Sequence, residues 1–327
     1  MISFLLAFAL QQPVDSNVAT AEEKVLKEEN ISWYTEWDQA VKDAKRLNKP
    51  IMLQSASPSC REVPGMWWPG YRKQEESFFS NPKVVEASQA WICVRPATFE
   101  NAEESVMLSK WLYTEVDSLR NTVFALLDPS GTKSLVRRTG RSPDQVFGGV
   151  DSFIKALNDL PNQFEKKESL NGLPLIPNLR LALNIAACDA LPLVALLRQS
   201  SSELFDKDNN LVFSKAYKLR SSQAHFVLIN DFSALEKFPG YVSGKDVYVL
   251  QPNTFGTTAK VIYSFINKDF SSLHYKSELA KGVFKKSNDH AHVREGKRKN
   301  IKWETQTPRT DGRTIDKSKP RKIRWCL

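Results

Sequence analysis

The feature that most constrains the fold of this chain is a pattern of helix, proline and buried strand that occurs twice. Three residues of the pattern recur 142 positions later, as Ala40 with Ala182, Ala44 with Ala186, and Pro50 with Pro192. Each set runs into a short apolar segment, 51–53 in the first case and 193–197 in the second. The repetition predicts two α/β domains of similar topology, and the alternative is a coincidence of the kind that any α/β sequence offers.

Two further matches follow at smaller offsets, as loop deletions would produce. Ser88–Ala90 recurs as Ser222–Ala224, 134 residues later, ahead of an apolar strand at 225–229. The segment 123–129 is echoed at 247–252, about 123 residues on, again as a strand that runs into a turn. The second half therefore reads as a weaker copy of the first.

Periodicity and turn residues predict the elements of the first half in the order α-β-α-β-α-β-β-α. The predicted helices are at 38–47, 83–89, 105–113 and 143–157. The predicted strands are at 51–53, 91–94, 123–127 and 134–138. A loop rich in Ser, Pro, Gly and Trp occupies 55–70, and Asp128–Gly131 is a strong turn signal.

This order, together with several motifs, resembles the bacterial thioredoxin-like proteins over residues 31–160. The motifs are Trp33 and Trp37, Asn48–Ile51 before a strand, Cys60 ten residues after Pro50, Phe78–Val85, Phe124–Gly131 and Gly140–Pro143. The resemblance implies a mixed central sheet flanked by helices, with a second, degenerate thioredoxin-like domain and a basic tail. We expect domains at 24–162 and 178–284.

In the family, dithiol exchange needs a nucleophilic thiolate and a second cysteine three positions later. Cys60 stands at the first position, but Val63 stands at the second. A buried acid that assists proton transfer would fall on Gln54, and the cis-proline beside the site would fall on Val123. These departures argue against dithiol turnover, so whether the chain is an enzyme stays open, with binding favoured.

Monothiol chemistry is the alternative for Cys60, which would form mixed disulfides as a thiolate flanked by Arg61. A resolving thiol from Cys93, Cys326 or a partner would then be needed. Cys60 is equally well explained as a residual or disulfide-bonded residue. Trp67 and Trp68 lie between Pro-Gly breaks and would form, with Arg61, a binding surface for a protein or peptide, unless they pack on each other. We predict no metal site and no cofactor.

The basic charge of the chain is concentrated at its C-terminal end. The formal net charge is +9, yet residues 281–327 hold 15 Lys/Arg and 5 Asp/Glu, which leaves the remainder near neutral. Residues 285–327 therefore read as a basic, extended or disordered tail that either contacts an anionic surface or only adds solubility.

The N-terminal segment predicts export. Residues 2–10 form an apolar run, which is too short to span a bilayer but fits the apolar region of a signal peptide within residues 1–23. A frayed apolar N-terminus that packs on the domain is the alternative. We expect a periplasmic or extracellular protein with no membrane span.

Overall fold

The structure is a computed structural model that describes about half of the chain. The described residues are 30–55, 78–96, 107–108, 110–111, 123–165, 167, 172–189, 191–197, 224–266 and 298–301. They form an α/β protein with two mixed sheets, each flanked by helices.

The first unit contains a four-stranded sheet. Its elements are β1 (Trp33–Tyr34), α1 (Trp37–Leu47), β2 (Ile51–Gln54), a 3₁₀ turn (Phe78–Ser80), α2 (Pro82–Ser88), β3 (Ile92–Val94), β4 (Phe124–Leu127), α3 (Pro143–Phe147), α4 (Val150–Asp159) and a 3₁₀ turn (Leu160–Gln163). The strand order is β1-β3-β2-β4, in which β3 runs parallel to both β1 and β2, and β4 runs antiparallel to β2.

The second unit contains a five-stranded sheet with the same arrangement and one more strand. Its elements are β5 (Leu175–Ile176), α5 (Leu179–Asp189), β6 (Leu193–Leu197), β7 (His225–Ile229), a 3₁₀ turn (Ser233–Leu235), β8 (Val247–Pro252) and β9 (Ala259–Phe265). The order is β5-β7-β6-β8-β9, with β7 parallel to β5 and β6, and β8 antiparallel to β6 and β9.

The strand register relates the two units residue by residue. The offset of 142 residues holds across the whole β-α-β segment, because α1 and β2 begin at Trp37 and Ile51 while α5 and β6 begin at Leu179 and Leu193. Ile51 lies opposite Ile92 and Leu127, and Leu193 lies opposite His225 and Leu250. The third strands are therefore offset by 133 residues, one fewer than the sequence match at Ser88–Ala90 indicated, and the fourth strands by 123.

Local signals account for the ends of the helices. Asn48 adopts the left-handed conformation (φ 52°) that terminates α1, and the amide of Lys49 donates to Ala44 O. At the start of α2, the Asn81 side chain accepts a hydrogen bond from the Lys83 amide and Pro82 occupies the first turn. The predicted helices at 38–47 and 83–89 are thus confirmed to within a residue.

Two predicted elements of the first unit are wrong. The helix expected at 143–157 is two helices, because Gly148 takes a left-handed φ of 70° and ends α3 before α4 begins. The strand expected at 134–138 is reduced to isolated bridges from β4 to Ser134 and Gly140. There the Ser134 hydroxyl donates to Val136 O, a local turn that takes the backbone away from the ladder.

Apolar side chains cover both faces of each sheet. In the first unit Met52, Cys93 and Phe124 face one cluster, and Ile51, Ile92 and Ala125 face the other. Phe153 of α4 is fully buried in the first cluster, with its ring centroid 5.3 to 6.3 Å from those of Phe78, Phe79, Phe124 and Phe147. Alternation along each strand therefore places the core on two sides of one sheet.

Within the described part of the chain, every helix is too short or too polar to cross a membrane.

Candidate functional site

The site that the sequence predicts lies just beyond the carboxyl end of β2. Cys60, Arg61, Trp67 and Trp68 all fall outside the described residues, so the predicted binding surface has no structural description. The structure does describe the strand ends from which that segment departs. Carboxyl ends of parallel strands are where α/β sheets commonly place ligands, and the residues there are therefore the described part of the candidate site.

Gln54 ends β2 and is almost completely buried, with 4% of its surface exposed. Its Nε2 donates to Ser55 O and to Arg141 O, each at 3.3 Å. Its Oε1 is buried and has no hydrogen-bond partner among the residues that the structure describes. A carboxamide at this position holds no proton that it can give up near neutral pH, which agrees with the sequence argument against proton transfer there.

Ser55 and Val123 fasten the neighbouring strand ends together. The Ser55 amide donates to Val123 O at 2.8 Å, and the Val123 amide donates to Ser55 Oγ at 2.9 Å. Both residues are buried. These two hydrogen bonds therefore join the carboxyl end of β2 to the start of β4.

Arg95 lies one residue beyond β3 and, by the register of β2 with β3, beside Gln54. Its guanidinium is 6.0 Å from the centroid of the Trp33 ring, and its backbone amide donates to Tyr34 O. Nη1 donates to Asp189 Oδ1 at 3.1 Å, and Nη2 donates to Asp189 Oδ2. Arg95 thus makes a bidentate pair with a carboxylate that belongs to the second unit.

His225 completes what we call the Arg95 cluster, which consists of Arg95, Asp189 and His225. His225 Nε2 lies 2.6 Å from Asp189 Oδ2. Burial on its own would raise the pKa of Asp189, but the charge of Arg95 and the hydrogen bonds from His225 and Arg95 outweigh burial, so the pKa is lowered. The Asp189 carboxylate stays ionised and positions the side chains of Arg95 and His225. The cluster contains no nucleophile.

Cys93 is buried in the middle of β3, opposite Trp33 on one side and Met52 on the other. Its side chain is 2% exposed, and its thiol lies 3.7 Å from Ser88 O. Burial raises the pKa of this thiol far above its ordinary value, although Lys49 and the Ser88 contact act in the opposite sense. Cys93 is therefore a small core residue and a poor resolving thiol for Cys60.

The Arg95 cluster escaped the sequence reasoning because its members lie far apart in the chain. A signal was nevertheless present in the repeat. Asp189 corresponds to Leu47, and His225 corresponds to Ile92, so two core positions of the first copy carry polar side chains in the second. Such an exchange inside a repeated core indicates a contact that the other copy lacks.

No protein-family model matches the sequence, and no curated protein matches it.

Proposed function

We propose that this chain is an exported, tandem thioredoxin-like protein that binds a protein or peptide partner and does not catalyse dithiol exchange. The binding surface in this proposal is the carboxyl end of β2, at Gln54 and Ser55, together with Cys60, Arg61, Trp67 and Trp68. The shared strand order of the two sheets supports the fold assignment, since both place a parallel β-α-β segment beside an antiparallel strand. Export and the polyanion-binding role of residues 285–327 rest on the sequence alone.

The observation that carries the proposal is the buried carboxamide of Gln54 at the end of the central strand. Dithiol exchange passes a proton between the two thiols and a nearby base, and Gln54 is unable to accept or release one. Val63 removes the second thiol from the motif. An edge that lacks both groups is suited to holding a partner and not to dithiol exchange.

Monothiol exchange at Cys60 is the second candidate function. It requires a resolving thiol, and the burial of Cys93 argues against that residue in this role. A thiol on the partner, or Cys326, would then have to release the mixed disulfide.

The rate of alkylation of Cys60 as a function of pH separates the two functions. In the binding proposal Cys60 is unreactive or titrates near its ordinary pKa of about 8.5, and wild type and Cys60→Ser show equal, background rates of reduction of a disulfide peptide. The matched control is Gln54→Glu with Val63→Cys, which restores both missing groups and should raise that rate. A strongly depressed pKa at Cys60, with peptide reduction that Cys60→Ser abolishes, would establish the monothiol enzyme instead.

The tail has a separate test. Deletion of residues 285–327 should abolish retention on a heparin column at low salt, because this segment carries nearly all of the excess positive charge. Unchanged retention would assign the tail no role in binding polyanions.

A further inference from the structure

We propose that the second unit is a permanent structural partner of the first, which it covers at the carboxyl edge of β1 and β3, so that the two units fold and open as one body. This inference concerns the contact between the units and does not depend on the proposed function. Four features of the described residues support it, namely the placement of the contact, its charge, its asymmetry within the repeat and the packing of the connecting segment against α1.

The contact joins opposite edges of the two sheets. Thr35 and Arg95 come directly after β1 and β3, at the carboxyl edge of the first sheet. They contact residues at the amino edge of the second sheet, where Thr35 Oγ1 donates to Leu175 O of β5 at 3.3 Å and Arg95 pairs with Asp189 near His225, the first residue of β7. The second sheet thus continues beyond the first, and it closes part of an edge that in a single unit would face solvent.

The charges make this contact costly to open. The Arg95 side chain is 1% exposed, so its guanidinium is withdrawn from water, and the Asp189 carboxylate supplied by the second unit offsets that cost. Removal of one partner from a buried ion pair leaves an uncompensated charge, which is why such changes are strongly destabilising. Separation of the two units would therefore leave the Arg95 guanidinium without its counter-charge.

The repeat shows that the polar pair serves the contact and not the core of its own unit. In the first unit the equivalent residues, Leu47 and Ile92, belong to one apolar cluster. In the second unit the same places hold Asp189, which pairs with Arg95, and His225, which contacts Asp189. An apolar pair would fill the second unit as it does the first, whereas Asp189 supplies the carboxylate that pairs with a guanidinium from the other unit.

The segment that connects the units also lies against the first one, along α1. The Gln39 side chain makes two hydrogen bonds to the backbone at the end of this segment. Its Nε2 donates to Leu173 O at 3.1 Å, and its Oε1 accepts from the Leu175 amide at 3.3 Å. Further along, Asn48 Nδ2 donates to Glu165 O at 2.8 Å. The described residues of the connection, among them Glu165 and Leu173, are consequently part of the contact surface.

Calorimetry and hydrogen exchange on the full-length chain test the inference. The variants are Asp189→Asn, which removes the charge with little change of shape, and the triple variant Arg95→Leu, Asp189→Leu and His225→Ile, which places at each position the residue found at its equivalent in the other copy. The matched control is Asp231→Asn, a carboxylate that accepts its hydrogen bonds within the second unit, from Ser233.

For the wild type and for Asp231→Asn we expect a single thermal transition, and we expect amides of β2 and β6 to exchange at rates within about threefold of each other. In Asp189→Asn the transition should split in two, and exchange in β2 should exceed that in β6 by more than tenfold. The triple variant, in one transition or two, should unfold near the wild-type midpoint, because no buried charge is left unpaired. Two transitions in the wild type, or a single transition at the wild-type midpoint in Asp189→Asn, would overturn the inference. If a variant fails to fold, the ratio of the exchange rates of β2 and β6 in the wild type still tests it.

Discussion

Replacement of Gly172 by alanine should destabilise the protein by roughly 2–4 kcal/mol, because the connecting segment passes too close to α1 to admit a side chain. A Cβ at position 172 would lie 1.7 Å from Asp43 Oδ2 and 2.7 Å from the Tyr34 hydroxyl. To reach ordinary contact, at 3.4 Å or more, the Asp43 carboxylate would have to move by well over an ångström.

That movement breaks the hydrogen bonds that hold Asp43. The Tyr34 hydroxyl donates to Asp43 Oδ2 at 2.7 Å, and Arg46 Nε donates to Oδ1 at 2.9 Å. A hydrogen bond to a charged group contributes about 1.5–3 kcal/mol to stability. Alanine also lowers the conformational entropy of the unfolded chain, which stabilises the folded protein by about 0.4–1 kcal/mol. The loss of the buried Tyr34 contact therefore dominates the expected change in the free energy of unfolding.

Urea unfolding followed by tryptophan fluorescence measures this free energy. The matched control is Gly149→Ala, since a Cβ there meets no atom within 4 Å and the backbone is extended, and we expect a change within about 1 kcal/mol. In an Asp43→Ala background the Gly172→Ala penalty should fall by at least about 1 kcal/mol, because the atom that it displaces is gone. Equal stability of Gly172→Ala and Gly149→Ala, or an uncoupled double mutant, would refute the reasoning.

Three further outcomes follow from buried groups described above. Phe153→Ala should lower the free energy of unfolding by about 3–5 kcal/mol through loss of a fully buried ring, whereas Val242→Ala at an exposed site should change it by about 0.5 kcal/mol or less in the same urea titration. The lowered pKa of Asp189 stabilises the fold above the ordinary carboxyl pKa, and this contribution is lost as the pH falls through the lower folded pKa; stability measured between about pH 5 and pH 2 should therefore decline less steeply in Asp189→Asn than in wild type. Alkylation of Cys93, followed by peptide mass spectrometry, should proceed only at urea concentrations that unfold the first sheet, and labelling of this thiol in native buffer would contradict its burial.

Much of the fold was predictable because local signals and the repeat point the same way. The apolar runs at 193–197, 225–229 and 247–252 coincide with β6, β7 and β8, and Asn48 marks the end of α1 by chemistry that a sequence displays. Strand β1 was missed because Trp33–Tyr34 is only two residues long and acquires its identity by pairing with β3. The break at Gly148 was missed because apolar periodicity continues across it.

The candidate site was predictable only in part. Gln54 was identified from the position that it shares with a family acid, and the structure shows that position to be buried. Arg95 carried no local signal, since a single basic residue after a strand normally faces water. Its significance depends on a carboxylate 94 residues away, and only the tertiary fold brings the two together.

The sequence separation of Arg95 from Asp189 also sets an order of events during synthesis. Asp189 is made 94 residues after Arg95, which at ordinary elongation rates of about 5–20 residues per second is a delay of roughly 5–20 seconds. Throughout that interval the nascent first unit holds a guanidinium whose carboxylate does not yet exist. The first half of the chain must therefore leave the ribosome with this edge still hydrated, and it completes its structure only when the second half has been translated.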